Sequence, residues 1–203
     1  MPALPVIAAF DVDGTLTTRD CVVPFLRRVS GTAGLLAGLA RRSPHLLPAA
    51  VHRDRDRLKS LATGVVFAGR RIAEIDDAGR RFAEHVASSW LREEAVATLH
   101  EHLDEGHHVV LVSASYEVYL VPLAASLGEV DVLGTRLAVA SDGTCTGELD
   151  GGNCRGAAKV VRLHRWLDDR FGGRRNVTLW AYGDSAGDEA MLADADHRVW
   201  MGK

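Results

Sequence analysis

The chain has 203 residues, 47 % of them apolar and 25 % charged, which suits one globular domain with an insert or two small ones. A net charge of -3 speaks against affinity driven mainly by a nucleic-acid backbone. Three cysteines without a CxxC pair exclude a disulfide scaffold and favour a reduced, cytosolic setting.

Residues 1–10 are apolar but lack a basic leader and run straight into acidic residues, so they do not read as a signal peptide. Within them, 5–10 (PVIAAF) is a predicted strand ending at Asp11. From 17 to 90 the chain reads as helices alone, over 22–29, 33–40, 46–58 and 72–90. So long a stretch cannot be a simple loop. It is expected to be a helical-bundle cap inserted after the first strand. The longest apolar run, 31–40, is cut off by Arg41 and Arg42, so no segment reaches membrane-spanning length.

Beyond the cap, a helix is expected at 93–104, where Val96, Leu99 and Leu103 recur at three- and four-residue spacing. A strand follows at 108–112, a helix at 116–126 and a short strand at 130–133. The Gly-, Asp- and Thr-rich stretch 142–156 reads as a turn or hairpin. A helix at 157–171 and strands at 177–182 and 197–200 complete the chain. Nearly continuous apolar strands suit a sheet covered on both faces. Their alternation with helices predicts an α/β fold with a doubly wound parallel sheet. Residues 1–16 plus 91–203 would form the core and 17–90 the cap. The cap holds 13 basic and 7 acidic residues, a net +6, and the remainder nets −9.

Four short motifs fall at strand ends or helix starts, the rim where ligands bind in such a sheet. Asp11-Val12-Asp13-Gly14-Thr15 closes the first strand. Two carboxylates at i and i+2 converge on one small volume, where repulsion favours a divalent cation or a raised pKa. An Asx turn is the plainer reading. Ser113 and Ala114 follow the second core strand, where a hydroxyl and free N–H groups make an anion site; a helix N-cap is the alternative. Lys159 falls in the first turn of a helix, opposing the macrodipole unless an anion is near. Gly183-Asp184-Ser185-Ala186-Gly187-Asp188 brings two more carboxylates to the same rim.

The set DxDGT, Ser, Lys and GDxxxD, in that order, resembles the haloacid-dehalogenase (HAD) phosphohydrolases. The helical insert is similar to the cap of their phosphoserine-phosphatase-like branch, subfamily IB. The resemblance covers the whole chain and implies a HAD-like, Rossmannoid core. It implies a phosphomonoester hydrolase working through an aspartyl-phosphate on a small phosphorylated substrate. Asp11 would be the nucleophile and Asp13 the acid and base. Asp11, Asp184 and the Asp13 carbonyl would hold Mg²⁺. Ser113, the Ala114 N–H and Lys159 would bind phosphoryl oxygens, with Thr15 also in substrate binding, Gly183 in support, and Asp188 supporting Lys159 and the metal shell.

Two departures bear on the substrate. Asp20 stands where phosphoserine phosphatases carry the Glu that contacts the substrate amine, and Gly187 stands where they commonly carry Asn. Asp20 is either a substrate contact or the N-cap of the following helix. Among the cap's basic residues (Arg53, Arg55, Arg57, Lys59, Arg70, Arg71), Arg57 and Lys59 are the candidates to reach substrate, because an apolar run follows them. The positive cap would steer anionic esters to the cleft. The nine histidines lack HExxH spacing and are expected at the surface. Cys145 and Cys154 are expected to stay reduced.

Three rivals remain. Gly183-Asp184-Ser185-Ala186-Gly187 also matches the GxSxG elbow of serine hydrolases, but only 18 residues follow Ser185 to supply an acid and a His. A phospho-accepting receiver domain shares strand-end aspartates but has no such insert. A phosphotransferase, or a partner- or membrane-surface-binding protein on the same fold, is the third; Leu35, Leu36 and Leu39 beside Arg41 and Arg42 would serve such contact. Stable membrane insertion and nucleic-acid binding are not expected, and nothing in the sequence sets the oligomeric state.

Overall fold

The computed structural model describes residues 3–41 and 54–202. Strand β1 (Val6–Phe10) is followed by helices α1 (Val22–Ser30), α2 (Thr32–Arg41), α3 (Arg55–Phe67) and α4 (Ile72–Ser89). Helix α5 (Glu93–Asp104), strand β2 (His108–Tyr116), helix α6 (Glu117–Leu127) and strands β3 (Val130–Val139) and β4 (Cys145–Asp150) come next. Helix α7 (Ala157–Phe171), β5 (Thr178–Gly183), α8 (Glu189–Asp194) and β6 (His197–Trp200) close the chain. The sheet order is β4-β3-β2-β1-β5-β6, all parallel except β4, which returns antiparallel on β3. Both neighbours of β1 are therefore distant in sequence, and the switch point lies at its carboxyl end.

The apolar run of β1 has no alternation because both its faces are covered. Ala8 and Phe10, with Val109 and Leu111, join the core shared with α1, α4, α5 and α6. Ile7 and Ala9, with Val110, Val112, Leu179 and Ala181, join the core under α7 and α8. One-residue alternation thus divides each strand between two layers.

The helical insertion is fused to the first of these cores. Phe25, Phe67 and Phe82 from the insertion meet Tyr116 and Tyr119 with ring centroids 4.7–6.3 Å apart. Helix α4 also lies against the start of α6 at Gly79, where a Cβ would fall 2.1 Å from the Val118 carbonyl oxygen.

Most predicted elements recur with small shifts at their ends. Three differ more. Strand β2 runs on through Ser113 to Tyr116, so Ser113 lies within the strand rather than at a helix cap. Its ladder with β3 shifts between Val112 and Tyr116, which interrupts regular pairing beside Ala114. Strand β3 continues past Leu133 to pair with β4, which is the hairpin expected over 142–156. Helix α3 starts at Arg55, capped by Asp54, and absorbs the apolar run 61–67. The part of the predicted 46–58 helix before Asp54, with Arg42 and Arg53, lies outside the described residues. No helix among the described residues is long and apolar enough to cross a membrane. Cys21, Cys145 and Cys154 are all buried and unbridged.

Candidate active site

The DVDGT turn leaves β1 between β2 and β5, with the Asp11 N–H donating to the Tyr182 carbonyl at 2.9 Å. Gly14 has φ +90°, a conformation other residues resist. A Cβ there would also fall 2.1 Å from Asp184 Oδ2, so glycine lets the turn close against the end of β5. Gly183 does the same for Asp188, whose Cβ would lie 2.5 Å from a Cβ at Gly183.

Three residues distant in sequence meet on this rim. Lys159 Nζ donates to Asp11 Oδ1 at 2.5 Å and to Asp188 Oδ1 at 2.6 Å, with all three side chains buried. Burial alone would lower the Lys159 pKa, but Asp11 and Asp188 outweigh it and hold it above the usual lysine value. Burial pushes the Asp11 carboxyl up to about 7 against the pull of Lys159, with Asp188 and Asp13 adding to the rise. The expected misfit of Lys159 in the first turn of α7 is thus offset by two carboxylates. Thr15 donates to Asp11 Oδ2 at 3.3 Å, and Ser185 holds Asp188 Oδ2 through its N–H at 3.0 Å and its hydroxyl at 2.7 Å.

Oxygens of Asp11, Asp184 and Asp188 lie within 4.8 Å of one another. Asp184 Oδ1 is buried with no hydrogen-bond partner, and burial followed by Asp188 raises its pKa. A buried, unpartnered carboxylate oxygen facing two other carboxylates is a costly arrangement unless a cation completes it. An all-oxygen donor set of this kind fits Mg²⁺.

Asp13 lines the same cavity, with both carboxylate oxygens held from within the protein. Its Oδ1 accepts the Cys21 N–H at 2.8 Å and its Oδ2 accepts the Ser115 hydroxyl at 2.5 Å. Tyr119 donates to Ser115 in turn at 2.6 Å. Burial raises the Asp13 pKa, with Asp20 adding to it and the Ser115 bond opposing. Ser113 is fully buried, accepts the Ser115 N–H at 3.1 Å, and lies behind Ala114, which reaches the cavity wall.

Lys59 reaches this place from the insertion. Its ammonium donates to the Ala114 carbonyl, to Thr135 Oγ1 at 3.0 Å and to Asn153 Oδ1 at 3.0 Å, and lies over the Tyr116 ring. Burial lowers its pKa to about 7. Asn153 also donates to Asp56 of α3 at 2.6 Å, so α3 is tied to the core twice through one amide. Arg57, the other residue expected to reach substrate, is exposed and off the cavity wall. Two helical positions turn about 200°, so Lys59 inward sends Arg57 outward, and Arg55 takes the place on the rim. Asp20 lines the cavity, and its Oδ1 accepts the Val23 N–H at 3.1 Å at the start of α1, as the capping reading expects.

Sequence reasoning missed Ser115, Asn153 and Arg155. The Arg155 side chain packs against Gly187 with no hydrogen bond or ion pair among the described residues, leaving a cation on the cavity wall. Among the described residues one histidine, His102, departs from its expected surface position. His102 is buried, with Nδ1 2.8 Å from His107 Nδ1 and Nε2 2.8 Å from the Tyr182 hydroxyl. With Glu105 these histidines have ligand-like spacing, but both His102 nitrogens are already paired and burial lowers its pKa. Ser185, bonded to Asp188 and to no histidine, is not poised as a hydrolase nucleophile.

A family model described as haloacid dehalogenase-like hydrolase matches residues 8–193. The chain belongs to that family, and it is a phosphatase-like hydrolase by fold and site. It is similar to Protein CicA of Caulobacter vibrioides, at 39 % identity over 202 residues, covering 98 % of this chain and 88 % of CicA. A protein of unknown function from Bordetella pertussis Tohama I superposes with a TM-score of 0.82 at 24 % identity, covering 98 % of this chain and 90 % of that one. A phospho-aspartyl intermediate analogue of phosphoserine phosphatase shares the fold with a TM-score of 0.63 at 19 % identity, over 97 % and 86 % of the two chains.

Proposed function

We propose that the protein is a Mg²⁺-dependent phosphomonoesterase that works through a phosphoryl group carried on Asp11. One observation carries the reading. Lys159 joins Asp11 to Asp188 beside the unpartnered Asp184 oxygen, so a nucleophile, a fixed cation and an incomplete oxygen cage share one pocket. The phospho-aspartyl form of the structurally similar phosphoserine phosphatase supports the same chemistry.

Asp11 attacks phosphorus, forming the acyl-phosphate bond as the P–O bond to the leaving group breaks. Asp13 protonates the departing oxygen; burial, which raises its pKa, favours the protonated form this needs. Water then attacks phosphorus, Asp13 takes its proton, and phosphate leaves with Asp11 restored. Lys159, the Ala114 N–H and Ser113 stabilise charge on the transferring oxygens, which is where most of the catalysis of phosphoryl transfer resides. Asp11, Asp184 and the Asp13 carbonyl would hold the cation, which supplies charge screening between the carboxylate and the ester. Lys59 supports the Ala114 peptide from the insertion. Residues 17–90 serve as a cap over a core of 1–16 and 91–203.

The test is phosphate release from a panel of phosphomonoesters. We expect turnover with Mg²⁺, none with a chelator, and loss of at least about 10³-fold in Asp11→Asn. Unchanged turnover in Asp11→Asn would overturn the mechanism.

A further inference from the structure

The space above Asp11 is a cavity of about 750 Å³. Its floor is polar: Asp11, Asp13, Lys159, Asp184 and Asp188. Its far wall is mostly apolar. Helices α1, α2 and α3 present Val22, Leu26, Leu35, Leu36, Leu39 and Leu58 to the same cavity. The apolar surface continues to the mouth, where Leu36 is 62 % and Val23 45 % exposed. Single exposed apolar residues carry no message, but these two continue a wall that begins at the phosphate floor.

In-line transfer fixes what faces that wall. The leaving oxygen must lie opposite the attacking Asp11 oxygen, so the leaving group projects from the floor towards the insertion. An amino acid leaving group would bring an ammonium and a carboxylate against leucines, at the cost of desolvating both charges. Of the charged groups beyond the floor, Asp20 already has Oδ1 on a backbone N–H, Arg27 and Arg55 are exposed at the rim, and Arg155 lies low against Gly187, beside the phosphate floor.

We infer that the substrate is a phosphomonoester of an amphiphile: phosphate on the floor, and an alkyl, acyl or prenyl chain along the leucine wall. The inference rests on the phosphatase reading above and names its substrate class. The wall reads chain length. Each fully buried methylene favours binding by about fourfold.

The experiment is a series of n-alkyl phosphates, ethyl, butyl and octyl, assayed with Mg²⁺ below the concentration at which they aggregate. We expect kcat/KM to rise at least about 30-fold from ethyl to octyl. Leu36→Glu and Leu39→Glu should flatten the rise. Val121→Glu, an exposed apolar position on α6 away from the cavity, should leave it intact. Hydrolysis of all three esters at equal kcat/KM would overturn the inference and leave the phosphatase reading standing. Calorimetric binding to Asp11→Asn reads the wall without turnover. Octyl phosphate should bind at least about tenfold tighter than ethyl phosphate, and equal affinity would overturn the inference. Chain-dependent binding without turnover in the native protein would instead sink the phosphatase reading alone. Octyl phosphate offered free and in phosphatidylcholine vesicles separates uptake from water and from a membrane surface.

Discussion

Asp11 is held in a site that resists its charge, and this has a measurable sign. Its folded pKa is raised to about 7, above the usual carboxylate value of 3.8. The folded state therefore binds more protons than the unfolded state between those pH values, and stability falls as pH rises through that window. In metal-free protein we expect a loss of about 2 kcal/mol between pH 5 and 8 by urea unfolding. Asp11→Asn should show a shallower slope, because Asp13 and Asp184, also raised, remain. Added Mg²⁺ should stabilise the native protein most at the alkaline end. Lys59 offers a second residue-level test. Lys59→Met leaves the Ala114 carbonyl, Thr135 and Asn153 without their shared donor, and should cost about 1–3 kcal/mol. An unfolding midpoint equal to that of the native protein would show that the clamp carries no weight. The strand-end carboxylates and Lys159 were legible in the sequence because their chemistry is local and ordered along the chain. Ser115 and Asn153 were not. Their partners, Asp13 and Lys59, lie 102 and 94 residues away, and only the fold brings them together.

At the level of elements, the insertion is anchored by backbone proximity as much as by aromatic packing. Gly79 sits inside α4, where propensity alone would make Gly79→Ala stabilising by about 1 kcal/mol. The Val118 carbonyl occupies the place of that Cβ. We expect Gly79→Ala to destabilise instead, by about 1–3 kcal/mol in denaturant unfolding. A stabilised variant would mean that α4 and α6 can separate freely. Long elements such as α5 and α7 were legible to the residue, since their apolar periodicity matches the face they bury. The far end of β2 was not, because Ser113, Ala114 and Ser115 break the apolar run yet remain extended beside β3. Helix α8 went unseen because six residues are too few to display a helical period. The phase of α3 was missed for a related reason. An apolar run after Arg57 and Lys59 marks a buried stretch but not which of the two faces inward.

Across the whole molecule the net charge of -3 divides into a basic insertion and an acidic remainder. Acidic residues collect on the cavity floor, and Arg27, Arg55 and Arg155 stand on its wall, where the proposed anionic ester would arrive. Steering of this kind is screened over about 10 Å at 0.1 M salt. We expect kcat/KM for a dianionic ester to fall several-fold between 20 and 300 mM NaCl while kcat holds steady. A kcat/KM indifferent to salt would remove steering from the account. The proposed division of labour rests on one covalent event, so the most direct measurement is of that event. Native protein is mixed with a phosphomonoester and Mg²⁺, quenched in acid during turnover, reduced with borohydride, digested and mapped by mass spectrometry. An acyl-phosphate is reduced to an alcohol, so the account expects homoserine at position 11. Sustained phosphate release with an unmodified Asp11, or with homoserine at another aspartate, would contradict it.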